Sequence, residues 1–338
     1  MPKVTSDNPA IRRVAIIGSG VAGLTAAIFL SQQGHRVQVF DKSRGPGGRL
    51  SAKRVGNDGS VDIGAQYFTI RNPAFREFLG QWAGDEHFAH WPGRFGFQHP
   101  ESGWQPFPEE QRYVGTPRMT AISRALSRHV ELQSQVRIKR LLPDSGRWQL
   151  VCTDGKNQGH FDQVVITAPP AQAGELLADS GLTPLADRVA NAAGHMLPCW
   201  AVAARLEQQV PMAYEGMRPN SDALYWVANN ASKPGRSNGG QWWVLHATPE
   251  WTRHHLDTEP DLVAERLIGA FRDLTGYQGA VAETLSHRWL YARSTDGACP
   301  GYLLDREQGI GLAGDWLAGG RVEGAWESAE KLVAEMTG

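Results

Sequence analysis

Three glycines near the start of the chain, Gly18, Gly20 and Gly23, have the spacing that lets a backbone approach a phosphate group. Gly18 permits a tight turn, Gly20 brings the main chain against a pyrophosphate, and Gly23 allows a helix to pack closely on a strand. Ala22 lies in the same turn, where the N–H groups of a helix N-terminus attract negative charge. The spacing predicts a dinucleotide site, and a glycine turn without ligand is the alternative.

An acidic residue, Asp41, ends the second predicted strand, which covers residues 36–41. In dinucleotide sites an acid at this place accepts hydrogen bonds from ribose hydroxyls, and its charge repels a 2′-phosphate. The pattern favours an adenosine without a 2′-phosphate, and Lys42 joins the predicted cofactor-binding residues. A solvated acid at a strand end is the alternative for Asp41.

A second glycine pair followed by a cation occupies residues 47–49. Gly48 permits close backbone approach, and Arg49 provides a fixed positive charge for a pyrophosphate. The segment resembles the second fingerprint of glutathione-reductase-like and amine-oxidase-like flavoproteins, which nicotinamide dehydrogenases generally lack. With the first motif it favours FAD over NAD, although a flexible surface turn is the alternative for this segment alone.

The segment 62–67 is a further candidate for cofactor contact. In the flavoproteins just named, an acid–x–Gly–Ala–Gln segment runs past the isoalloxazine ring, and its backbone N–H groups reach the N5 and O4 edge. We therefore predict flavin contacts at Gln66 and Tyr67, although a core position fits Tyr67 equally well. In the same families a valine pairs its backbone with adenine, and Val136 is the candidate here.

A third motif near the end of the chain combines a Gly-Asp pair with the start of a predicted helix. Asp315 is placed to accept a hydrogen bond from a ribitol hydroxyl. The helix start directs its N–H groups toward flavin N1 and O2, where negative charge gathers on reduction. Its residues are Val322, Glu323, Gly324 and Ala325.

These residues require a framework that brings strand ends and helix starts together. Residues 14–17 predict a buried parallel strand, 24–33 a helix ended by Gly34, and 130–138 a further strand, whereas 229–240 predict a polar loop. We expect an α/β chain with a Rossmann-type FAD-binding domain and an interleaved α+β substrate domain. The FAD-binding domain is predicted at 10–85, 115–172 and 292–338, and the substrate domain at 86–114 and 173–291.

Composition narrows the class of partner. The chain has 338 residues, 41% of them apolar, a net charge of −1 and three cysteines. The charge argues against nucleic acid or a membrane surface as partner, and no apolar run is long enough to cross a bilayer. The polar start lacks a signal-peptide core, and the few cysteines suggest a reducing cytoplasm with neither disulfides nor a metal site.

Longer strings carry a resemblance to one family. Residues 40–45, 47–54, 62–69, 243–248, 287–293, 314–316 and 320–326 resemble renalase, particularly its bacterial members, within the amine-oxidase-like flavoproteins. The resemblance implies a p-hydroxybenzoate-hydroxylase-like or amine-oxidase-like fold with noncovalent FAD. It also implies oxidation of the 2-dihydro and 6-dihydro isomers of NAD(P)H to NAD(P)+, with O2 reoxidising the flavin to give H2O2.

The residues can be compared with that reaction. Hydride transfer from a dihydropyridine needs a flat apolar slot and no general base, so we predict no catalytic side chain and no metal. The predicted slot residues are Tyr67, His246, Trp289 and Tyr291. His246 as a satisfied strand histidine and the two aromatics as core residues are the alternatives.

Two other functions stay open. Many flavin amine oxidases carry a substrate-domain lysine that holds a water near N5, and between residues 157 and 330 this chain has only Lys233, in a predicted loop. That weakens the amine oxidase or desaturase alternative. The third possibility is a binding or sensing flavoprotein without turnover.

Overall fold

The computed structural model describes residues 11–56, 59–193, 196–236, 240–295 and 299–338. Within these ranges the strands, β1 to β20 in chain order, are Arg13–Ile17, Arg36–Asp41, Ala52–Val55, Gly59–Asp62, Phe88–His90, Phe95–His99, Gly103–Pro106, Tyr113–Gly115, Glu131–Ser134, Ile138–Asp144, Arg147–Cys152, Asn157–Phe161, Gln163–Ile166, Met196–Leu206, Gly216–Arg218, Leu224–Asn229, Gln241–Ala247, Val281–Ser294, Leu303–Asp305 and Ile310–Leu312. The helices, α1 to α8, are Val21–Gln32, Pro73–Phe78, Thr120–Leu126, Pro170–Asp179, Thr183–Ala193, Pro249–His254, Pro260–Thr275 and Val322–Thr337.

The chain forms two compact units. The first unit comprises Met1–Pro46, Leu126–Gly194 and Gly297–Gly338, and the second comprises Gly47–Ala125 and His195–Asp296. The predicted domains have other boundaries than these units. Residues 47–85, 115–125 and 292–296, predicted in the FAD-binding domain, belong to the second unit, and residues 173–194, predicted in the substrate domain, belong to the first. The functional division into an FAD-binding and a substrate domain stays a prediction.

The first unit is built on a six-stranded sheet of order β19-β20-β13-β1-β2-β9. The strands β20, β13, β1, β2 and β9 run parallel, and β19 is antiparallel at one edge. Helices α1 and α8 pack on it through a core of small and branched side chains, among them Ala26, Val165 and Leu332. Because parallel strands need helical crossovers on their faces, this arrangement confirms the predicted α/β class with a Rossmann-type unit.

The second unit is built on a seven-stranded sheet of order β18-β14-β17-β16-β15-β6-β7. Its neighbouring strands are antiparallel, except that β15 and β6 are parallel. Along β17 the side chains alternate between two faces. Each face belongs to a different core cluster. Trp243 and Leu245 pack with Phe271 of α7, whereas Trp242 and Val244 pack with Ile63.

Local conformation overrides two of the expected elements. The strand predicted at 130–138 ends at Ser134, because Gln135 adopts a left-handed conformation with φ 62° before β10 begins at Ile138. The predicted loop at 229–240 contains a short 3₁₀ turn, Asn230–Ser232, and the buried side chains of Asn230, Lys233 and Arg236. Part of the loop is therefore buried, and the side chains that it buries are polar.

Across the described residues, every helix is too short or too polar to serve as a membrane span.

Candidate functional site

The first glycine motif has the geometry that its spacing predicts. The Gly18 N–H donates to Phe40 O at 2.8 Å, and a Cβ on Gly23 would lie 2.0 Å from Gly18 O. By contrast, a Cβ on Gly20 would meet nothing within 4 Å. Gly18 and Gly23 thus hold strand and helix together, whereas Gly20 leaves room for a ligand against the backbone.

The start of α1 offers hydrogen-bond donors beside the open space at Gly20. Gly20 caps α1 without a side-chain hydrogen bond, and the helix's own bonds begin with the Leu24 N–H donating to Gly20 O at 3.0 Å. The N–H groups of Val21, Ala22 and Gly23 therefore lie outside the helical ladder. Such a helix start, with open space before it, suits a pyrophosphate.

The carboxylate of Asp41 is tied to the glycine turn. Its Oδ2 accepts from the Ser19 N–H at 2.7 Å and the Ser19 hydroxyl at 2.6 Å, and its Oδ1 accepts from the Ser43 N–H at 2.7 Å. These bonds assign Asp41 a structural task, shaping the turn. Its predicted contact with ribose stays a prediction, and the carboxylate retains lone pairs for it.

Val136 and Lys42 lie at the same end of the sheet. The Val136 N–H donates to Asp41 O at 2.9 Å, and Lys42 Nζ donates to Gln172 Oε1 at 2.9 Å. The Val136 N–H is therefore already used. In the predicted pairing with adenine, Val136 would accept a hydrogen bond through its backbone carbonyl oxygen.

The third motif also forms a glycine-dependent turn. Asp315 and Glu323 are both buried, and a Cβ on Gly324 would lie 2.2 Å from Ala318 O. The hydrogen bonds of α8 begin with the Ala325 N–H donating to Arg321 O at 3.1 Å, and Arg321 provides no side-chain cap. The helix that begins at Val322 therefore has the start that the sequence predicts.

In the second unit, the glycine pair adjoins the 62–67 segment. The Ala65 N–H donates to Arg49 O at 2.9 Å, and a Cβ on Gly64 would lie 2.0 Å from that same oxygen. Among the described residues, the backbone N–H groups of Gln66 and Tyr67 have no acceptor. Two neighbouring donors without partners fit the predicted contact with a flavin edge.

The side chain of Gln66 anchors this segment. Its Nε2 donates to Asp62 O at 2.6 Å and to Gly64 O at 3.0 Å, and its Oε1 accepts from Lys233 Nζ at 3.0 Å. The amide is thus saturated by the chain itself. Any flavin contact by Gln66 would come from its backbone, as the prediction has it.

Lys233 belongs to a buried ionic cluster, which we define as Asp62, Lys233 and Arg236. Asp62 Oδ2 accepts from Arg236 at 2.5 Å and from Lys233 at 3.2 Å, and all three side chains are fully buried. Oδ1 accepts from the Met119 N–H at 2.9 Å. With two cations against one carboxylate, the cluster holds an excess positive charge beside Gln66.

Burial and charge shift the protonation equilibria of the cluster. Burial lowers the pKa of Lys233 to about 8, although Asp62 opposes the shift. Burial would raise the pKa of Asp62, but Lys233 and Arg236 outweigh it and hold that pKa below its usual value. Lys233 therefore titrates close to physiological pH while Asp62 stays ionised.

Sequence reasoning did not find this cluster, because its members lie far apart in the chain. Lys233 and Arg236 come from the segment predicted as an open loop, and Asp62 from the predicted flavin segment. The available signal was two cations and Asn230 around a Pro-Gly pair, which a solvated loop explains as well. Within the described ranges, no group of His, Cys, Asp and Glu is arranged to hold a metal ion.

Two of the predicted slot residues converge on one carbonyl. The Trp289 Nε1–H donates to Ile63 O at 3.0 Å, and a ring N–H of His246 bonds the same backbone group. Burial lowers the pKa of His246 to about 4, so the imidazole is neutral at physiological pH. Its Nε2 lies 3.5 Å from Gln66 Nε2, whose two N–H groups are already used on Asp62 O and Gly64 O. In the neutral ring, the nitrogen that does not bond the Ile63 group carries no proton and is an acceptor.

The remaining slot residues are less closely tied. The Tyr67 ring lies 5.3 Å from Trp226 and 6.4 Å from Phe95, and Arg112 stacks 5.3 Å from its centroid. These contacts place the Tyr67 side chain in an aromatic cluster, as the core interpretation has it. Tyr291 follows Trp289 on β18 and is half-buried.

Comparison with known proteins adds two family matches. Residues 16–82 match a NAD(P)-binding Rossmann-like domain, and residues 86–337 match the flavin containing amine oxidoreductase family. A protein provisionally named as a protoporphyrinogen oxidase, from Exiguobacterium sp. 255-15, has a similar structure with a TM-score of 0.74. That match covers 97% of this chain and 99% of the other at 14% identity. These matches confirm the predicted amine-oxidase-like fold.

Curated relatives are similar over short segments only. The zeta-carotene-forming phytoene desaturase of Myxococcus xanthus is 52% identical over 44 residues, 13% of this chain and 8% of the relative. The L-amino-acid oxidase of Pseudechis australis is 36% identical over 75 residues, 22% of this chain and 14% of the relative. Because the matched segments span under a sixth of these relatives, their activities are not transferred to this chain.

Proposed function

The chain belongs to the flavin containing amine oxidoreductases, and from that premise we propose that it oxidises the 2-dihydro and 6-dihydro isomers of NAD(P)H to NAD(P)+. Its cofactor is FAD, and the chain is an oxidoreductase of this family. What we propose beyond this is the substrate, a dihydronicotinamide isomer, and the final electron acceptor, O2. It agrees with the renalase-like strings at residues 243–248 and 287–293, which include His246 and Trp289.

The residues present suit FAD held without a covalent bond. In the first unit, the glycine turn with α1, Asp41, Val136 and the start of α8 are the residues that would bind FAD. In the second unit, Gly48, Arg49 and the N–H groups of Gln66 and Tyr67 are the predicted contacts. Bound FAD supplies the acceptor for one hydride per turnover, and O2 then takes two electrons and two protons to give H2O2. The chain's own task is to orient the donor ring.

The observation that carries the proposal is the pair of side chains held on Ile63 O. Trp289 is fixed by its indole hydrogen bond. His246 is neutral and bonds the Ile63 backbone through one ring nitrogen, so its other ring nitrogen is an acceptor. A neutral acceptor can take the N–H of a nicotinamide carboxamide and fix the ring in its plane. Loss of hydride gives the aromatic cation directly, so a base at this place is not required.

The decisive experiment is anaerobic mixing of the purified yellow protein with partially reduced NAD isomers. We expect the 2-dihydro and 6-dihydro isomers to bleach the oxidised-flavin band, while ordinary NADH acts far more slowly. Admission of air should restore the band and release one H2O2 per flavin. Bleaching by NADH alone, or by none of the three donors, would contradict the proposal.

A second candidate, amine oxidation, is favoured by Lys233. The lysine is not in an open loop but is buried, bonded to Gln66 and placed 5.2 Å from the Trp91 ring centroid. A substrate-domain lysine beside the flavin segment is what the sequence alone did not show. Putrescine and L-amino acids therefore enter the anaerobic experiment as further donors, and bleaching by one of these but by no dihydronicotinamide isomer would decide for this candidate.

A further inference from the structure

An aromatic ring bordered by two arginines lies at one end of the seven-stranded sheet in the second unit. The guanidinium carbon of Arg293 is 4.0 Å from the Tyr225 ring centroid, and that of Arg218 is 5.3 Å from it. Among the residues that the structure describes, neither guanidinium has a carboxylate partner or a hydrogen bond. The two guanidinium groups concentrate positive charge at one ring, with Arg218 exposed to solvent and Arg293 partly buried. Such a pair attracts a ligand that carries negative charge.

Strand irregularities bring these residues to the same sheet end. The pairing of β16 with β17 shifts register between Leu224 and Trp226, which leaves Tyr225 at a bulge. The pairing of β14 with β18 shifts between Leu197 and Cys199, opposite the stretch from Trp289 to Arg293. Bulges redirect side chains and are frequent beside functional sites.

Arg293 also lies close to the predicted ring slot. Trp289, Tyr291 and Arg293 alternate along β18, and the charge of Arg293 contributes to the lowered pKa of His246. Four residues of extended strand span at most about 13 Å. That length accommodates one ribose between a ring held at Trp289 and an anion held at Arg293.

We propose that Arg218, Tyr225 and Arg293 form a subsite for the phosphate groups of a dinucleotide substrate. Guanidinium groups bind phosphate oxygens in a bidentate manner, and stacking on the Tyr225 ring holds their planes in place. The identity of the ligand rests on the proposed function, whereas the site itself rests on the two unpaired cations. The subsite explains why the chain would select a nucleotide over a small amine.

The test is calorimetric titration of the fully FAD-loaded protein with ADP, which lacks the reacting ring. We expect ADP to bind the wild type and the double variant R218Q/R293Q to bind it about 10- to 100-fold more weakly. Arg266→Gln, an exposed arginine of α7, serves as the matched control and should leave binding unchanged. The FAD absorbance of each variant verifies equal cofactor content.

The outcomes separate this inference from the proposed function. Equal ADP affinity of the wild type and the double variant, or no ADP binding by the wild type, overturns the subsite even when dihydronicotinamide isomers still bleach the flavin. Conversely, arginine-dependent ADP binding without bleaching by any isomer supports the subsite and removes the proposed substrate. Isomers of dihydronicotinamide riboside, which lack phosphate, should reduce the wild type and the double variant with the same KM.

Discussion

At the scale of single residues, some polar side chains fix the backbone, and others remain able to bind a ligand. Gln66 uses every hydrogen-bonding group of its amide on Asp62, Gly64 and Lys233, so that its backbone is fixed. His246 is kept neutral by burial and anchored on Ile63 O. The sequence predicted both Gln66 and His246 as site residues. Only their contacts show that the Gln66 side chain anchors the backbone and that His246 has a hydrogen-bond acceptor to offer a ligand.

His246→Ala tests the binding role of the imidazole. Removing one neutral hydrogen bond should raise the substrate Kd about 3- to 10-fold, while flavin reduction at saturating substrate changes little. Rapid-reaction kinetics with the dihydronicotinamide isomers measures both quantities, and His254→Ala, an exposed histidine of α6, is the control. A large fall in the limiting rate with unchanged Kd would contradict a binding role.

Lys233 predicts a pH dependence of stability. Its pKa is lowered to about 8 in the folded chain and is ordinary in the unfolded chain, so the unfolded chain binds more protons between pH 8 and about 10.5. The wild-type free energy of unfolding, relative to Lys233→Met, should therefore rise across this window. Denaturant titrations at pH 7.5 and pH 10 measure it.

The control for this measurement is Lys139→Met, at an exposed position of β10. The difference between wild type and this variant should stay constant with pH. If the Lys233→Met difference were also constant, Lys233 would not have a lowered pKa in the folded protein.

At the scale of elements, helix starts and glycines determine where a phosphate can approach. The start of α1 packs on β1 only because Gly23 lacks a Cβ, whereas Gly20 faces open space. The same logic holds at α8, where Gly324 lies against Ala318 O. Glycines of one motif therefore differ in task, and the contacts around Gly20 and Gly23 agree with the tasks that the spacing predicts.

Paired alanine variants separate the two tasks. Gly23→Ala places a Cβ against Gly18 O and should destabilise the FAD-free protein by about 1–3 kcal/mol. Gly20→Ala meets nothing and should leave the FAD-free protein as stable as wild type while weakening FAD binding about 10-fold or more. Thermal unfolding and FAD titration of both variants check this, and equal behaviour of the two would contradict it.

At the scale of the whole molecule, the predicted cofactor residues are distributed over both compact units. The glycine turn, Asp41 and α8 belong to the first unit, and Gly48, Arg49 and the 62–67 segment belong to the second. A ligand that binds only the folded chain stabilises it by mass action. FAD occupancy and folding stability are therefore coupled.

FAD and FMN should differ in this effect. FAD at 100-fold its Kd should stabilise the FAD-free protein by about 2.7 kcal/mol, and FMN at the same concentration by much less. The reason is that FMN lacks the adenosine and the second phosphate, which are the groups that we predict the glycine turn, Asp41 and Val136 to bind. Unfolding curves with each flavin measure the effect, and equal stabilisation by both would show that the glycine turn does not bind the adenosine half.

The sequence by itself determined the α/β class and the three cofactor motifs, because these depend on local spacing: Gly18 to Gly23 act within one turn, and residues 36–41 within one strand. The amine-oxidase-like family followed from the resemblance of longer strings of residues. It also misplaced features that local pattern cannot carry, such as the end of the strand before Gln135. Only the tertiary structure joined Asp62 to Lys233 and Arg236, and set Arg218 and Arg293 on one ring. These partners come from distant segments of the chain, and a linear pattern does not show which of them meet. For Asp62, Lys233 and Arg236, the protonation equilibria also depend on shared burial.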